Sequence, residues 1–224
     1  KQAQAIDPND KQVLTTLADI QRLTGQMDQA LANYTRAIEQ DGESGSARLN
    51  RAGMLVDLGR TEEAEEDVVY VLSKAPFNPK AKYLQAELLF QKGDPEAANT
   101  ALADAASILS RIEPASLSSE REIAMLSGMV AFRRKAYEEA VKRFETYVAL
   151  TPGDNQGLRL LAAALIKQGN LSGAVDHLRN VVASEPDNAS ALGLLGQAYY
   201  GLGDLTYARD ALERSASINP NMVD

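Results

Sequence analysis

Apolar side chains recur along this chain at three- and four-residue intervals, and glycine and proline interrupt them at regular points. Leu158, Leu161 and Leu165 are spaced this way, as are Ala174, Leu178 and Val181. Such spacing puts the apolar residues on one face of a helix. The interruptions keep step. In "GNLSGAVDHLRNVVASEP", Gly169 to Pro186, an alanine follows the glycine by five residues and a proline follows the alanine by twelve. The same skeleton returns 34 residues later in "GDLTYARDALERSASINP", Gly203 to Pro220. Each period is predicted to hold two helices, A then B, joined by a tight turn. The glycine caps helix A in a left-handed backbone that penalises a Cβ. The proline ends helix B, since it lacks an N–H and biases the preceding residue away from helix.

The period extends through most of the chain. A first small column reads Ala18, Ala52, Ala86, Gly128, Ala162, Gly196. A glycine column reads Gly25, Gly59, Gly93, Lys135, Gly169, Gly203. A second small column reads Ala30, Ala64, Ala98, Ala140, Ala174, Ala208, and a large column reads Tyr34, Val68, Leu102, Phe144, Leu178, Leu212. Prolines stand at Pro8, Pro76, Pro152, Pro186 and Pro220. Small residues mark where helix axes cross at the short end of the usual range. Every step is 34 residues except that from the third repeat to the fourth, which is 42.

This pattern resembles the tetratricopeptide repeat family over nearly the whole chain, with repeats at 11–44, 45–78, 79–112, 121–154, 155–188 and 189–222. The resemblance implies an all-α solenoid of stacked antiparallel helix pairs wound into a right-handed superhelix. Residues 1–10 are expected to be the tail of a preceding helix B, 113–120 an insertion and 223–224 a short tail. The missing proline at Ser110 lets helix B of the third repeat run to about Ile112, Pro114 stops it, and Ser119 with Glu122 has capping-box spacing. Arg48 and Arg51, and Lys82 and Gln85, depart from the family's large apolar residues and leave the helix A of repeats two and three in question. Both ends read as cut from a longer array.

Composition restricts the function. The chain carries a net charge of −8, divided −5 and −3 about residue 112, and has no cysteine. A nucleic-acid partner is disfavoured, because a phosphate backbone needs a dense positive surface. Disulfides and thiolate metal sites are excluded. The longest apolar run, Leu160 to Ile166, is far too short to span a membrane. His177 is the lone histidine, and no acids are spaced around it for a metal. No catalytic constellation, cofactor site or metal site is expected. The acidic run Glu62, Glu63, Glu65, Glu66, Asp67 is expected to face water at a helix start. Sequons at Asn33, Asn170 and Asn188 are read as chance matches.

What remains is surface. The resemblance implies that helix A lines a concave groove, with groove positions at Asp19, Asn50, Gly53, Tyr83, Glu87, Phe90, Met125, Met129, Phe132, Arg133, Arg159 and Gln197. The binding centre is placed at Tyr83, Phe90, Met125, Met129, Phe132, Arg133 and Arg159, with Lys167 adding charge. Methionine, aromatic and arginine side chains suit adaptable protein-binding surfaces. The carboxylate clamp of chaperone-binding relatives would fall at Thr15, Asp19, Asn50, Lys80 and Leu84. Only Asn50 and Lys80 fit it, and Asp19 would repel the ligand. The function expected is a non-catalytic scaffold for a partner peptide or domain. More loosely, "KAPFNPKAKYLQAELLFQKGD", Lys74 to Asp94, is similar to bacterial envelope repeat lipoproteins of exosortase and exopolysaccharide systems. That likeness implies a role in assembly or export of a secreted polymer, in the periplasm or cell envelope with the cytoplasm as alternative. A structural spacer that self-associates through its open ends is the other reading left open.

Overall fold

Twelve helices follow one another through the described residues of a computed structural model, 10–111 and 117–219. They are α1 (Lys11–Leu23), α2 (Met27–Gln40), α3 (Gly45–Asp57), α4 (Thr61–Lys74), α5 (Pro79–Gln91), α6 (Pro95–Leu109), α7 (Leu117–Arg133), α8 (Tyr137–Leu150), α9 (Asn155–Gln168), α10 (Leu171–Ser184), α11 (Ala189–Leu202) and α12 (Leu205–Ile218). Odd-numbered helices are the A helices and even-numbered ones the B helices. The chain divides into two compact units, Lys1–Arg111 and Ile112–Asp224.

The predicted turn chemistry is present in all six repeats. At each A-to-B turn an N–H just past the helix reaches a carbonyl five residues back: Gln26 to Gln21, Arg60 to Leu55, Asp94 to Leu89, Ala136 to Ala131, Asn170 to Leu165 and Asp204 to Tyr199, at 2.8–3.0 Å. This closure needs a left-handed residue before it. Five glycines supply that residue with φ between 70° and 94°. Lys135 supplies it in the fourth repeat at φ 61°, alone among non-glycine residues described. Helix starts are capped by side chains: Asp10, Asn78, Asp94, Asp154, Asn170 and Asn188 each accept from a backbone N–H of the first turn. Pro79 and Pro95 occupy first helical positions, where no N–H is needed. Two of the three sequon asparagines are therefore caps, and Asn33 is buried.

The small columns are the packing seams. Ala18, Ala52, Ala86 and Ala162 are fully buried, as are Ala30, Ala64, Ala98, Ala140 and Ala174. The large column fills the space they leave: Tyr34, Val68, Leu102, Phe144 and Leu178 are buried, each contributing about 1.5–3 kcal/mol by removal from water. Where the first column holds glycine, its partner comes closer. A Cβ on Gly128 would lie 2.5 Å from Cε1 of Phe144, and one on Gly196 would lie 2.5 Å from Cγ of Leu212.

Several expectations are corrected. α6 ends at Leu109, not near Ile112: Ser110 and Arg111 form a turn, with the Arg111 N–H donating to the Ile108 carbonyl. α7 begins at Leu117, so Ser119 lies within its first turn and not ahead of it. The stop expected at Pro114, and the prolines Pro8 and Pro220, lie outside the described residues, as does the first half of the insertion, 113–116, while 117–120 belong to α7. Asp67 does not face water with its acidic neighbours but is fully buried. Its carboxylate is what holds the two odd arginines. Arg48 Nη1 donates to Asp67 Oδ1 at 2.9 Å, and Arg51 Nε and Nη2 donate to Oδ2 and Oδ1 at 2.7 and 2.9 Å. Lys82 in the third repeat pairs with Asp104 at 3.1 Å. Charge pairs thus replace apolar contacts at these positions, and α3 and α5 keep their place. The last large-column residue, Leu212, is 43% exposed instead of buried.

Candidate functional site

Each unit presents a row of A helices, and the two rows differ in chemistry. In the first unit the row is α1, α3 and α5, and Asp19, Asn50 and Lys80 along it form a hydrogen-bonded ladder. Tyr34 Oη donates to Asp19 Oδ1 at 2.5 Å, Asn50 Nδ2 donates to the same oxygen at 3.0 Å, and Lys80 Nζ donates to Asn50 Oδ1 at 2.6 Å. Burial, then the bond to Asp19 and its charge, push the Tyr34 phenol well above its ordinary range. Of the clamp positions, Leu84 is buried and the Thr15 hydroxyl donates to the Lys11 carbonyl at 2.7 Å. Asn50 and Lys80 are engaged in this ladder with Asp19 instead of standing ready for a carboxylate. Gly53 sits under Leu84, whose Cδ2 would lie 3.8 Å from an added Cβ. Tyr83 and Phe90 are half-buried, with Tyr83 against both neighbouring core clusters and Phe90 against the cluster of Ala86, Ala98 and Leu102. Glu87 is half-buried on the same helix.

In the second unit the row is α7, α9 and α11. Met125, Met129 and Phe132 are half-buried on the cluster of Phe144, Leu161 and Leu178. Phe132 meets Tyr137 edge to face at 5.6 Å between ring centroids. Arg133, Lys167 and Gln197 are exposed. Arg159 Nη1 donates to Ser190 Oγ at 3.0 Å, while its Nε is buried without a hydrogen-bond partner. Nearby Glu185 accepts from Asn155 Nδ2 at 2.7 Å and Asn188 Nδ2 at 2.6 Å. Those bonds, with the Arg159 charge, hold its carboxyl below the usual range.

The expected binding residues therefore fall in two places. Met125, Met129, Phe132, Arg133 and Arg159 share the second unit, and Tyr83 and Phe90 lie in the first. Sequence reasoning missed Ser190, whose hydroxyl orients Arg159. Arg134, not singled out from the sequence, is exposed beside Arg133. Among the described residues no cluster of histidine, cysteine or acidic side chains is arranged to hold a metal, and no helix is long and apolar enough to cross a membrane.

Comparison with known proteins agrees with this architecture. A family model described as tetratricopeptide repeat matches residues 15–79, 55–115, 83–155 and 159–222. The chain is 27% identical over 180 residues to DnaJ homolog subfamily C member 3 of Gallus gallus, covering 80% of this chain and 30% of that protein. It is 26% identical over 209 residues to the tetratricopeptide repeat and J domain-containing co-chaperone DNJ1 of Fusarium oxysporum f. sp. lycopersici, covering 93% of this chain and 40% of that protein. The chain thus spans well under half the length of these relatives. Among solved structures, a tetratricopeptide repeat protein from Parabacteroides merdae superposes with a TM-score of 0.55 at 20% identity, covering 98% of this chain and 82% of that one.

Proposed function

Because the chain belongs to the tetratricopeptide repeat family, we propose that it is a binding scaffold without chemistry of its own, which holds a peptide or domain of a partner protein against its A helices. The observation that carries this reading is the half-buried stripe Met125, Met129 and Phe132 on α7, with Arg159 in the same column on α9. Thioether and aromatic side chains that are packed below and open above adapt to a partner's apolar residues, and an arginine beside them supplies direction. Tyr83 and Phe90 on α5 are half-buried in the first unit and form a separate surface. A peptide library selected on the chain tests the reading. Met125→Gln together with Met129→Gln, which preserves helix propensity, is expected to lose the selected binders at an unchanged melting temperature. Full retention by that variant would remove the α7 face from the site.

The finer reading, assembly or export of a bacterial secreted polymer, rests only on the stretch Lys74 to Asp94. The curated relatives named above, a DnaJ homolog of an animal and a co-chaperone of a fungus, lend it no support. A second reading, self-association through the faces of α1 and α12, is favoured by exposure. Leu17 and Ile20 are 42% and 53% exposed, whereas their counterparts Leu161 and Ala164 are buried. Leu205 and Leu212 are 62% and 43% exposed. Their counterpart Leu178 is buried, and Leu171 packs beneath Gly201, where an added Cβ would lie 2.6 Å from its Cδ1. Sedimentation over a range of concentrations separates the readings: growth supports association, and a constant monomer supports capture.

A further inference from the structure

We propose that the A-to-B turn at Lys135 and the adjoining α7 and α9 faces bind a short acidic segment of a partner protein, whose apolar side chains rest on Met125 and Met129. The proposal builds on the groove reading above and adds the chemistry of the ligand.

Three observations point to it. The first is backbone conformation. Lys135 holds a left-handed φ of 61° at a position where all five counterparts are glycine. That conformation costs a Cβ-bearing residue energy that glycine avoids. A strained residue kept where a relaxed one fits marks a functional position, and lysine adds a cation there.

The second is charge. Arg133, Arg134 and Lys135 are consecutive and exposed, and Lys167, the counterpart of Arg133, is exposed one repeat on. Cations at the turns of the first unit are neutralised internally, Arg60 by Glu63 at 2.6 Å and Lys92 by Glu65 at 2.6 Å. Among the described residues no ion pair engages Arg134 or Lys135. The acids nearest in sequence, Glu138 and Glu139, occupy the first turn of α8, where the helix dipole favours them.

The third is Arg159. Its Nη1 is oriented by the hydrogen bond to Ser190, and its Nε is buried without a hydrogen-bond partner. A guanidinium is a planar fork suited to carboxylates, and the Glu185 carboxylate beside this one already responds to its charge. Arg51, by contrast, spends its fork on Asp67.

A long polyanion or an anionic membrane would meet the repulsion of a chain with net charge −8. A short segment brings its few carboxylates to the cationic turn and to Arg159 without crossing the acidic remainder of the chain.

The probe is a fluorescein-labelled twelve-residue peptide alternating glutamate with leucine, beside the same peptide with glutamine for glutamate. The acidic peptide is expected to bind roughly tenfold tighter at low salt, with the gap closing at about 0.5 M salt. Lys135→Gly is expected to raise the melting temperature and weaken the acidic peptide roughly threefold, leaving the glutamine peptide unchanged. Stability and binding then move in opposite directions, which a purely structural lysine cannot produce. Lys92→Gln makes the same charge change at a turn of the first unit and is expected to alter neither peptide. Equal affinity for the two peptides would overturn the acidic ligand and leave the groove reading standing. So would an acidic-peptide affinity that Lys135→Gly leaves untouched. Binding of neither peptide also overturns the proposal, and the library selection then decides the groove reading separately.

Discussion

Asp67 on α4 receives two hydrogen bonds from Arg51 on α3, at 2.7 and 2.9 Å, and is fully buried while doing so. Arg48 adds a third at 2.9 Å and lays its guanidinium 3.9 Å over the Tyr70 ring. Within this network Arg48 occupies the position that the first, fifth and sixth repeats fill with leucine, at Leu14, Leu158 and Leu192. Removing the carboxylate strands two guanidinium groups that are mostly out of water. Asp67→Ala is expected to cost about 3–5 kcal/mol, whereas the joint replacement Arg48→Leu, Arg51→Met and Asp67→Leu is expected to recover most or all of it. Urea unfolding of the three proteins measures this. A small loss for Asp67→Ala alone would mean that water reaches the arginines.

Lys135 offers a cleaner case, since only one backbone angle is at stake. Glycine there relieves the Cβ strain of a left-handed residue and gives back some unfolded-state entropy. The net expectation for Lys135→Gly is a gain of about 0.5–1 kcal/mol. The reciprocal change at a counterpart, Gly169→Lys, forces a side chain into φ 94° and is expected to cost about 1 kcal/mol. Thermal melts that moved the two proteins in the same direction would contradict the strain argument.

Much of the fold could be read from spacing, because the repeat displays its constraints six times. Small residues at Ala18 or Ala174 recur wherever helices touch, and a left-handed turn takes glycine at five of the six A-to-B reversals. What could not be read involved a single repeat. Arg48 and Arg51 appeared as departures, and their partner was hidden inside a run of five acids. A signal was nevertheless present: Asp67 stands three residues after Ala64 and four before Val71, on the buried stripe of α4. The limits of α6 and α7 were misplaced because the irregular step between repeats three and four has no second copy to compare. For the binding face, the helical phase of Met125, Met129 and Phe132 was legible. The contact of Arg159 with Ser190 was not, since it joins two helices through the reach of one side chain.

The glycine at position 128 and the ring of Phe144 are matched in size. With a Cβ at 2.5 Å from the ring, Gly128→Ala forces the buried phenylalanine to move. It is expected to cost about 1–3 kcal/mol as an overpacked core. Phe144→Leu alone is also expected to destabilise, by leaving space. Combined, the two changes restore the alanine-and-leucine pairing already present at Ala86 and Leu102, so the double variant is expected to be more stable than the sum of the single losses allows. A double-mutant cycle by chemical denaturation gives the coupling, and simple additivity would show that the two residues do not share one space.

Tyr34 couples stability to alkaline pH. Its phenol is raised by burial first and by Asp19 second, above an unfolded value near 10. A group raised on folding stabilises fully below its unfolded pKa and loses that contribution as pH climbs toward the folded value. At pH 7 Tyr34→Phe removes the donor to Asp19 but leaves the Asn50 bond at 3.0 Å, so a cost of about 1 kcal/mol is expected. Between about pH 9 and pH 12 the unfolded wild-type chain gains from ionising its tyrosine and the variant does not, so their difference should narrow steadily. Urea midpoints of both proteins at pH 7, 9 and 11 test this. A difference that stays constant across the series would show that Tyr34 ionises in the folded protein as readily as in the unfolded one.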